Sequence, residues 1–274
     1  MVAAAKLRRA QDAIISARPY ARKMRELLQH FGTKADLTIN PLFAYRQIEN
    51  VAIIVVAADR GLCGAFNSNL MKTTETLIEQ RYHELNKAGK LKLICVGKKG
   101  FDFFAKRNHK MVGKHIGIFG RLTFSRAQEI VGEVVQGFSK GEYDRVEVIY
   151  NEFKSIMHQR VTIEQFLPIS TDQADIQSPH SPVRSMVDYI YEPSREAILA
   201  SLVPKYLNFE MWRVLLESNA AEQGARMTAM DNATTNATDL IRDLQLSYNK
   251  ARQASITKEL LEIVSGAEAL KNSS

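Results

Sequence analysis

The chain predicts a Rossmann-like α/β domain set between two long helices that pair as an antiparallel coiled coil. Two observations carry this. Apolar β-branched runs alternate with helix-length amphipathic stretches through the middle of the 274 residues, the pattern of a largely parallel sheet covered by helices. Both ends carry long segments almost free of glycine and proline, with apolar residues at helical spacing.

The first segment runs from Met1 to about His30 without a glycine and is rich in Ala, Leu, Arg and Gln, which predicts a helix. Pro19 should bend it by removing one backbone donor. No capping signal precedes the helical pattern, so its start is expected further upstream. In the middle, Val51 to Ala57 reads as a buried strand. It is followed by the turn Asp59-Arg60-Gly61-Leu62-Cys63-Gly64 and a helix over about 67–86. Leu91 to Val96 repeats the strand. A short helix near 101–107, a weak strand near 115–118 and a helix over 125–138 come next. Val146 to Tyr150 and Arg160 to Leu167 then form a final strand pair, expected to be antiparallel. Residues 168–187 hold Pro168, Pro179 and Pro182 among polar residues and read as a surface loop outside the core. From Lys205 to Ser265 there is no proline and one glycine, Gly224; a helix of that extent would span about 90 Å, too long to pack on one small domain. The expected division is 1–48 (N-terminal helix), 49–192 (α/β domain) and 193–274 (C-terminal helix).

Large apolar residues recur at Ile241, Leu244, Tyr248 and Ala251, then at Ile256, Leu260, Ile263 and Ala267, steps of three and four that define a coiled-coil seam. Between them and the domain, Ala221, Ala225, Ala229, Ala233 and Ala237 fall at four-residue spacing, and Ala10, Ala13, Ala17 and Ala21 form a similar set at the other end. Two ridges of small residues let helix backbones approach closely, so the two termini are expected to pair. Alanine also raises helix propensity with no pairing at all, which is the plainer alternative. The outward face is read as Ser218, Asn219, Thr228, Asn232, Thr234, Thr235, Asn236 and Thr238: polar, lightly charged, and poor in the Glu and Lys of freely exposed helices.

The net charge of +7 is concentrated. Residues 1–34 hold eight basic residues, Lys6, Arg8 and Arg9 among them, against two acidic ones, leaving +1 for the rest. Such a segment suits an acidic partner surface. Nucleic acid is disfavoured because the basic residues are interrupted by the alanine set and lack interleaved aromatics. Cys63 and Cys95 are too few for a disulfide framework. No apolar run approaches the roughly 20 residues of a membrane-spanning helix, and the opening lacks the apolar core of a signal peptide.

No catalytic constellation emerges. The turn 59–64 stands where nucleotide-binding folds place a phosphate loop, yet it matches neither the dinucleotide nor the Walker pattern, so a structural turn is favoured. The six histidines are scattered without metal-ligand spacing. Cys63 reads as a buried thiol rather than a nucleophile. No catalytic residue, cofactor or metal is expected.

The stretch Ile256-Thr-Lys-Glu-Leu-Leu-Glu-Ile-Val-Ser-Gly-Ala267 resembles the C-terminal signature of the γ subunit of F-type ATP synthases. Leu246 to Ser255, the segment Glu222 to Met230, the turn 59–64, the opening 1–11 and Ser16-Ala-Arg-Pro-Tyr20 resemble the same family. Family members usually begin roughly two dozen residues earlier with a basic helical stretch, so Met1 resembles an internal methionine. The resemblance implies the central rotary stalk: terminal helices inside a ring of three α and three β subunits, and an α/β domain joined to the ε subunit and the membrane c-ring. It implies a non-catalytic, peripheral subunit on the cytoplasmic side of the bacterial inner membrane, with rotation changing the affinities of the β sites. Arg252 and Gln253 align with positions that resemble a catch against β. Lys6, Arg8 and Arg9 are weaker candidates for contact with the acidic C-terminal part of β. Cys63 and Cys95 do not resemble the redox insert of chloroplast relatives. A nucleotide-binding regulatory α/β module with a coiled-coil arm is the alternative.

Overall fold

A computed structural model describes residues 2–32, 40–156, 158–169 and 194–272. The chain divides into two compact units, 1–228 and 229–274. The first contains helix α1 (Val2–Gly32), a five-stranded sheet with its covering helices, and the beginning of helix α6 (Arg195–Asn272). The second consists of the rest of α6.

The sheet has the order β3-β2-β1-β4-β5, with β1 Val51–Val56, β2 Leu91–Val96, β3 Met111–His115, β4 Arg145–Phe153 and β5 Gln159–Leu167. β1 pairs parallel with β2 and β4, β2 pairs parallel with β3, and β5 closes the other edge antiparallel to β4. All six residues of β1 are buried, as expected for a strand covered on both faces. Alternate residues go to opposite sides, because successive side chains in a strand point to opposite faces. Ala52, Ile54 and Val56 join Val146, Val148 and Tyr150 beneath α5 (Phe124–Ser139) and the Val203–Leu215 stretch of α6. Val51, Ile53 and Val55 join Leu93, Cys95 and Ile149 beneath α2 (Phe66–Arg81) and Phe104 of α4 (Lys98–Ala105).

The structure departs from the sequence reading in several places, each for a local reason. The expected helix 67–86 is broken at Tyr82 into α2 and α3 (His83–Lys87); the Tyr82 hydroxyl donates to buried Glu147 at 2.7 Å, which anchors the break to β4. The helix expected at 101–107 is α4, beginning at Lys98, where Gly97 turns with φ +96°. The weak strand lies at Met111–His115, and Ile118–Gly120 forms a 3-10 turn instead. Pro168 and Ile169 belong to the core rather than to a surface loop: Ile169 is buried, and its N–H donates to the Leu42 carbonyl at 2.9 Å. The rest of the expected loop, from 170 on, lies outside the described residues. Helix α6 contains Pro204 before the proline-free stretch, and α1 runs through Pro19.

Three loops at the C-terminal edge of the sheet are fastened by one side chain. The Asp59 carboxylate accepts from the backbone N–H groups of Lys98 (3.1 Å), Gly117 (2.8 Å) and Phe119 (3.2 Å), tying the turns after β1, β2 and β3 together. Next to it, a Cβ placed on Gly97 would stand 2.0 Å from the Ala57 carbonyl oxygen. Strand β1 therefore reaches this turn with no room for a side chain. Gly97→Ala should destabilise the purified chain by about 3 kcal/mol or more, since it combines a backbone clash with a left-handed φ. A denaturant midpoint unchanged from wild type would refute this.

Candidate functional site at the seam of the terminal helices

In open α/β sheets, ligands bind outside the carboxyl ends of the strands, where neighbouring connections diverge to opposite faces. Here that position lies between β1, whose following helix α2 covers one face, and β4, preceded by α5 on the other. It is filled by protein. Ala58 and Phe66 beyond β1 and Phe153 at the end of β4 pack with Leu7, Ala10 and Ile14 of α1 and with Leu216, Ala220 and Ala221 of α6. The Ser218 hydroxyl, itself buried, donates to the Val56 carbonyl at 3.4 Å. Ser218 is thus not on an outward face as its polarity suggested: a hydroxyl satisfies the last carbonyl of β1 where a larger residue would hold the helix off.

Members of both small-residue sets belong to this cluster. Ala10 and Ala221 are buried in it, and Ala13, Ala17 and Ala225 are partly buried against it. Gly224 belongs to the same surface. A Cβ on it would lie 3.5 Å from Gln159 Nε2, the Ile156 carbonyl oxygen and the Phe153 ring, so α6 passes close to the tip of the β4–β5 hairpin. Ala229 is half-buried, and Ala233, Ile256, Leu260 and Ile263 are exposed. Leu7, Ala10 and Ile14 of α1 thus share one buried cluster with Leu216, Ala220 and Ala221 of α6. Arg252 and Gln253 are exposed on the second unit, and Lys6, Arg8 and Arg9 are exposed on α1.

Besides Ser218, two arginines of α6 bind groups of the α/β domain. Arg213 donates from Nε to Glu210 (2.7 Å), from Nη1 to the Tyr150 hydroxyl (2.9 Å) and from Nη2 to Glu164 (2.6 Å); Glu217 lies 3.5 Å from Nη1, and the Tyr150 hydroxyl donates to Glu164 at 2.7 Å. The guanidinium fork binds one helix and two strands at once, which a lysine could not do. Burial pushes the Tyr150 phenol well above its ordinary range, keeping it a neutral donor. Further along, Arg226 donates from Nη1 to the Gly61 carbonyl (2.6 Å) and from Nη2 to Glu222 (2.5 Å). Burial raises the Glu222 carboxyl, and Arg226 pulls it back down.

The turn 59–64 serves this seam. Its Cys63 is buried among Ala58, Phe66 and the helix residues, and its Sγ receives a hydrogen bond from Asn67 Nδ2 at 3.2 Å. Burial, then the nearby Glu222 carboxylate, pushes the thiol up; burial alone pushes Cys95 up to about 12. Neither is poised as a nucleophile. Sequence reasoning did not single out Arg213, Arg226 or Asp59. The spacing Glu210-Arg213-Glu217 and Glu222-Arg226 inside an otherwise apolar or small-residue stretch was the available signal, because charges there must be paired in the interior.

A family model described as ATP synthase matches residues 1–270. The chain is 52% identical over 278 residues to the ATP synthase gamma chain of Chloroherpeton thalassium, spanning all of this chain and 91% of the relative. It is 49% identical over 282 residues to that of Salinibacter ruber, spanning 92% of it. Among solved structures, the fold is similar to a chain of the Tetrahymena thermophila mitochondrial ATP synthase central stalk and c-ring (TM-score 0.62, 23% identity, 85% of this chain and 96% of that one). It is also similar to a chain of the Euglena gracilis mitochondrial enzyme (TM-score 0.61, 20% identity, 97% and 95%).

Two outcomes are expected. Ala221→Leu, at a fully buried position of the seam, should cost about 1–3 kcal/mol by overpacking, whereas Ala233→Leu should leave the unfolding midpoint of the purified chain within about 0.5 kcal/mol; equal effects would place the seam on another face. Both thiols should resist a disulfide reagent at pH 8 in the native chain and react at once in denaturant. Rapid reaction of the folded chain would contradict their burial.

Proposed function

This chain belongs to the ATP synthase γ-chain family, and from that premise we propose that it turns inside a ring of three α and three β subunits, seated on an ε-type subunit and the c-ring. The family identifies it as a central-stalk subunit that is not itself catalytic. ATP is made or hydrolysed at β, and the stalk imposes the order of conformations there. What carries the reading is the surface of the second unit. Ile241, Leu244, Tyr248, Ile256, Leu260 and Ile263 are each 48–67% exposed on a helix whose side chains from 230 to 268 are all exposed. A helix bearing that much unburied apolar surface needs partners around it.

The contacts we assign are Arg252 and Gln253 as the catch against β, where a charged fork and an amide can pair with carboxylates or carbonyls, and Lys6, Arg8 and Arg9 against an acidic part of β. The seam assigned to Ala229, Ala233, Ile256, Leu260 and Ile263 belongs to the same proposal, as does the division into 1–48, 49–192 and 193–274. We place the assembled protein on the cytoplasmic face of a bacterial inner membrane. No helix among the described residues is long and apolar enough to cross one, which suits a peripheral subunit. The alternative of a nucleotide-binding module is weakened by the packing of Ser218, Ala221 and Phe153 into the position a nucleotide would need.

Arg252→Ala with Gln253→Ala should lower ATPase turnover of the reassembled complex, or its yield, by about tenfold, the loss expected for roughly 1.4 kcal/mol of charge-assisted contact. The unfolding midpoint of the isolated chain should be unchanged. Wild-type assembly and turnover would remove these two residues from the interface.

A further inference from the structure

Between Leu216 and Met227, the apolar residues of helix α6 in the seam are small, Ala220, Ala221 and Ala225 with Gly224 beside them, and the larger buried side chains there, Glu217, Glu222 and Gln223, are polar. Such a contact is close and resists separation, but it offers few side-chain ridges to lock into grooves. Rotation of the helix about its own axis is therefore weakly opposed by packing in this stretch. Directional hydrogen bonds from long, forked side chains can oppose it.

Two such groups are present, and their placement on the helix is informative. Arg213 grips the β4–β5 hairpin through Tyr150 and Glu164. Arg226 grips the β1–α2 turn through the Gly61 carbonyl, its guanidinium held in place by Glu222 one turn back. Thirteen residues separate them, about 20 Å along the axis and about 140° around it. The two grips therefore act on different faces and at different heights, an arrangement that resists both tilt and twist. The receiving turn is itself rigid: Asp59 fastens it to the loops after β2 and β3, and the Ala58 N–H donates to Asn67 Oδ1 at 3.0 Å.

We propose that Arg226 is the positioning residue through which twist of α6 is passed to the α/β domain, by way of the Gly61 carbonyl and the Asp59-fastened turn. This rests on the reading of the chain as a rotating stalk. The role belongs to the guanidinium geometry and not to the charge alone. A lysine at 226 would still neutralise Glu222, but it lacks the planar fork that reaches a carboxylate and a carbonyl together.

The test uses the full-length chain in the reassembled α3β3 complex, with a bead attached to the α/β domain, and compares wild type, Arg226→Lys and Arg226→Ala. Continuous rotation of the wild type is the control: its absence would count against the stalk reading itself, independently of Arg226. With rotation present, the angular variance of the bead in the stalled complex should rise about twofold in Arg226→Lys, as one of two comparable charge-assisted restraints is lost. The unfolding temperature of Arg226→Lys should stay at the wild-type value, since its ion pair with Glu222 persists. Arg226→Ala should show at least the same broadening; if it fails to assemble, Arg226→Lys decides. Wild-type angular variance in Arg226→Lys would overturn the proposal, as would broadening that appears only together with a lowered unfolding temperature.

Discussion

The seating of α6 across the carboxyl ends of β1 and β4 is the constraint on which the rest of the first unit depends. A helix can lie there only if its side chains are small and the last strand carbonyls find donors. Ala220, Ala221 and Gly224 meet the first condition, and Ser218, reaching the Val56 carbonyl, meets the second. Once α6 is in place it contributes Val203, Leu207, Met211, Val214 and Leu215 to one core and packs with α1 in another cluster. The position that nucleotide-binding sheets leave open is thus occupied here by a helix.

Charge is used sparingly in that joint and always with several partners. An isolated buried guanidinium would be prohibitively costly, while one with three or four hydrogen bonds can be retained as a geometric fastener. Arg213 follows this pattern with three hydrogen bonds and Arg226 makes two, while on the opposite face of the sheet one Glu147 oxygen accepts from Arg81 and from the Tyr82 hydroxyl, with the Arg145 guanidinium 3.1 Å away. Apolar and small-residue packing supplies the closeness, and the arginines supply direction. A component that transmits torque needs both.

Much of the fold was legible in the residues. The strands β1, β2, β4 and β5 are apolar runs or alternations with turn residues at their ends, and the long helices are stretches free of breakers. What escaped were features whose cause lies far away in the chain. The break at Tyr82 depends on Glu147, sixty-five residues later. The burial of Ile169 depends on Leu42. Polar Ser218 was read as surface because its partner, a strand carbonyl 162 residues earlier, leaves no mark in the local sequence.

By itself the sequence determined the class of fold, the family and the existence of two small-residue ridges at opposite ends of the chain, because periodicity, propensity and a near-continuous motif are all local properties. Only the tertiary structure decided which of these residues are buried together: Leu7, Ala10 and Ile14 cluster with Leu216, Ala220 and Ala221, while Ala233 and the later apolar positions are exposed. It also decided that the glycine-containing turn 59–64 receives Arg226 instead of a phosphate. The physical reason is the same in both cases. A helix repeats its pattern along its whole length, so spacing says which face can pack, while the choice of partner and register is made by a few distant groups that fit only one arrangement.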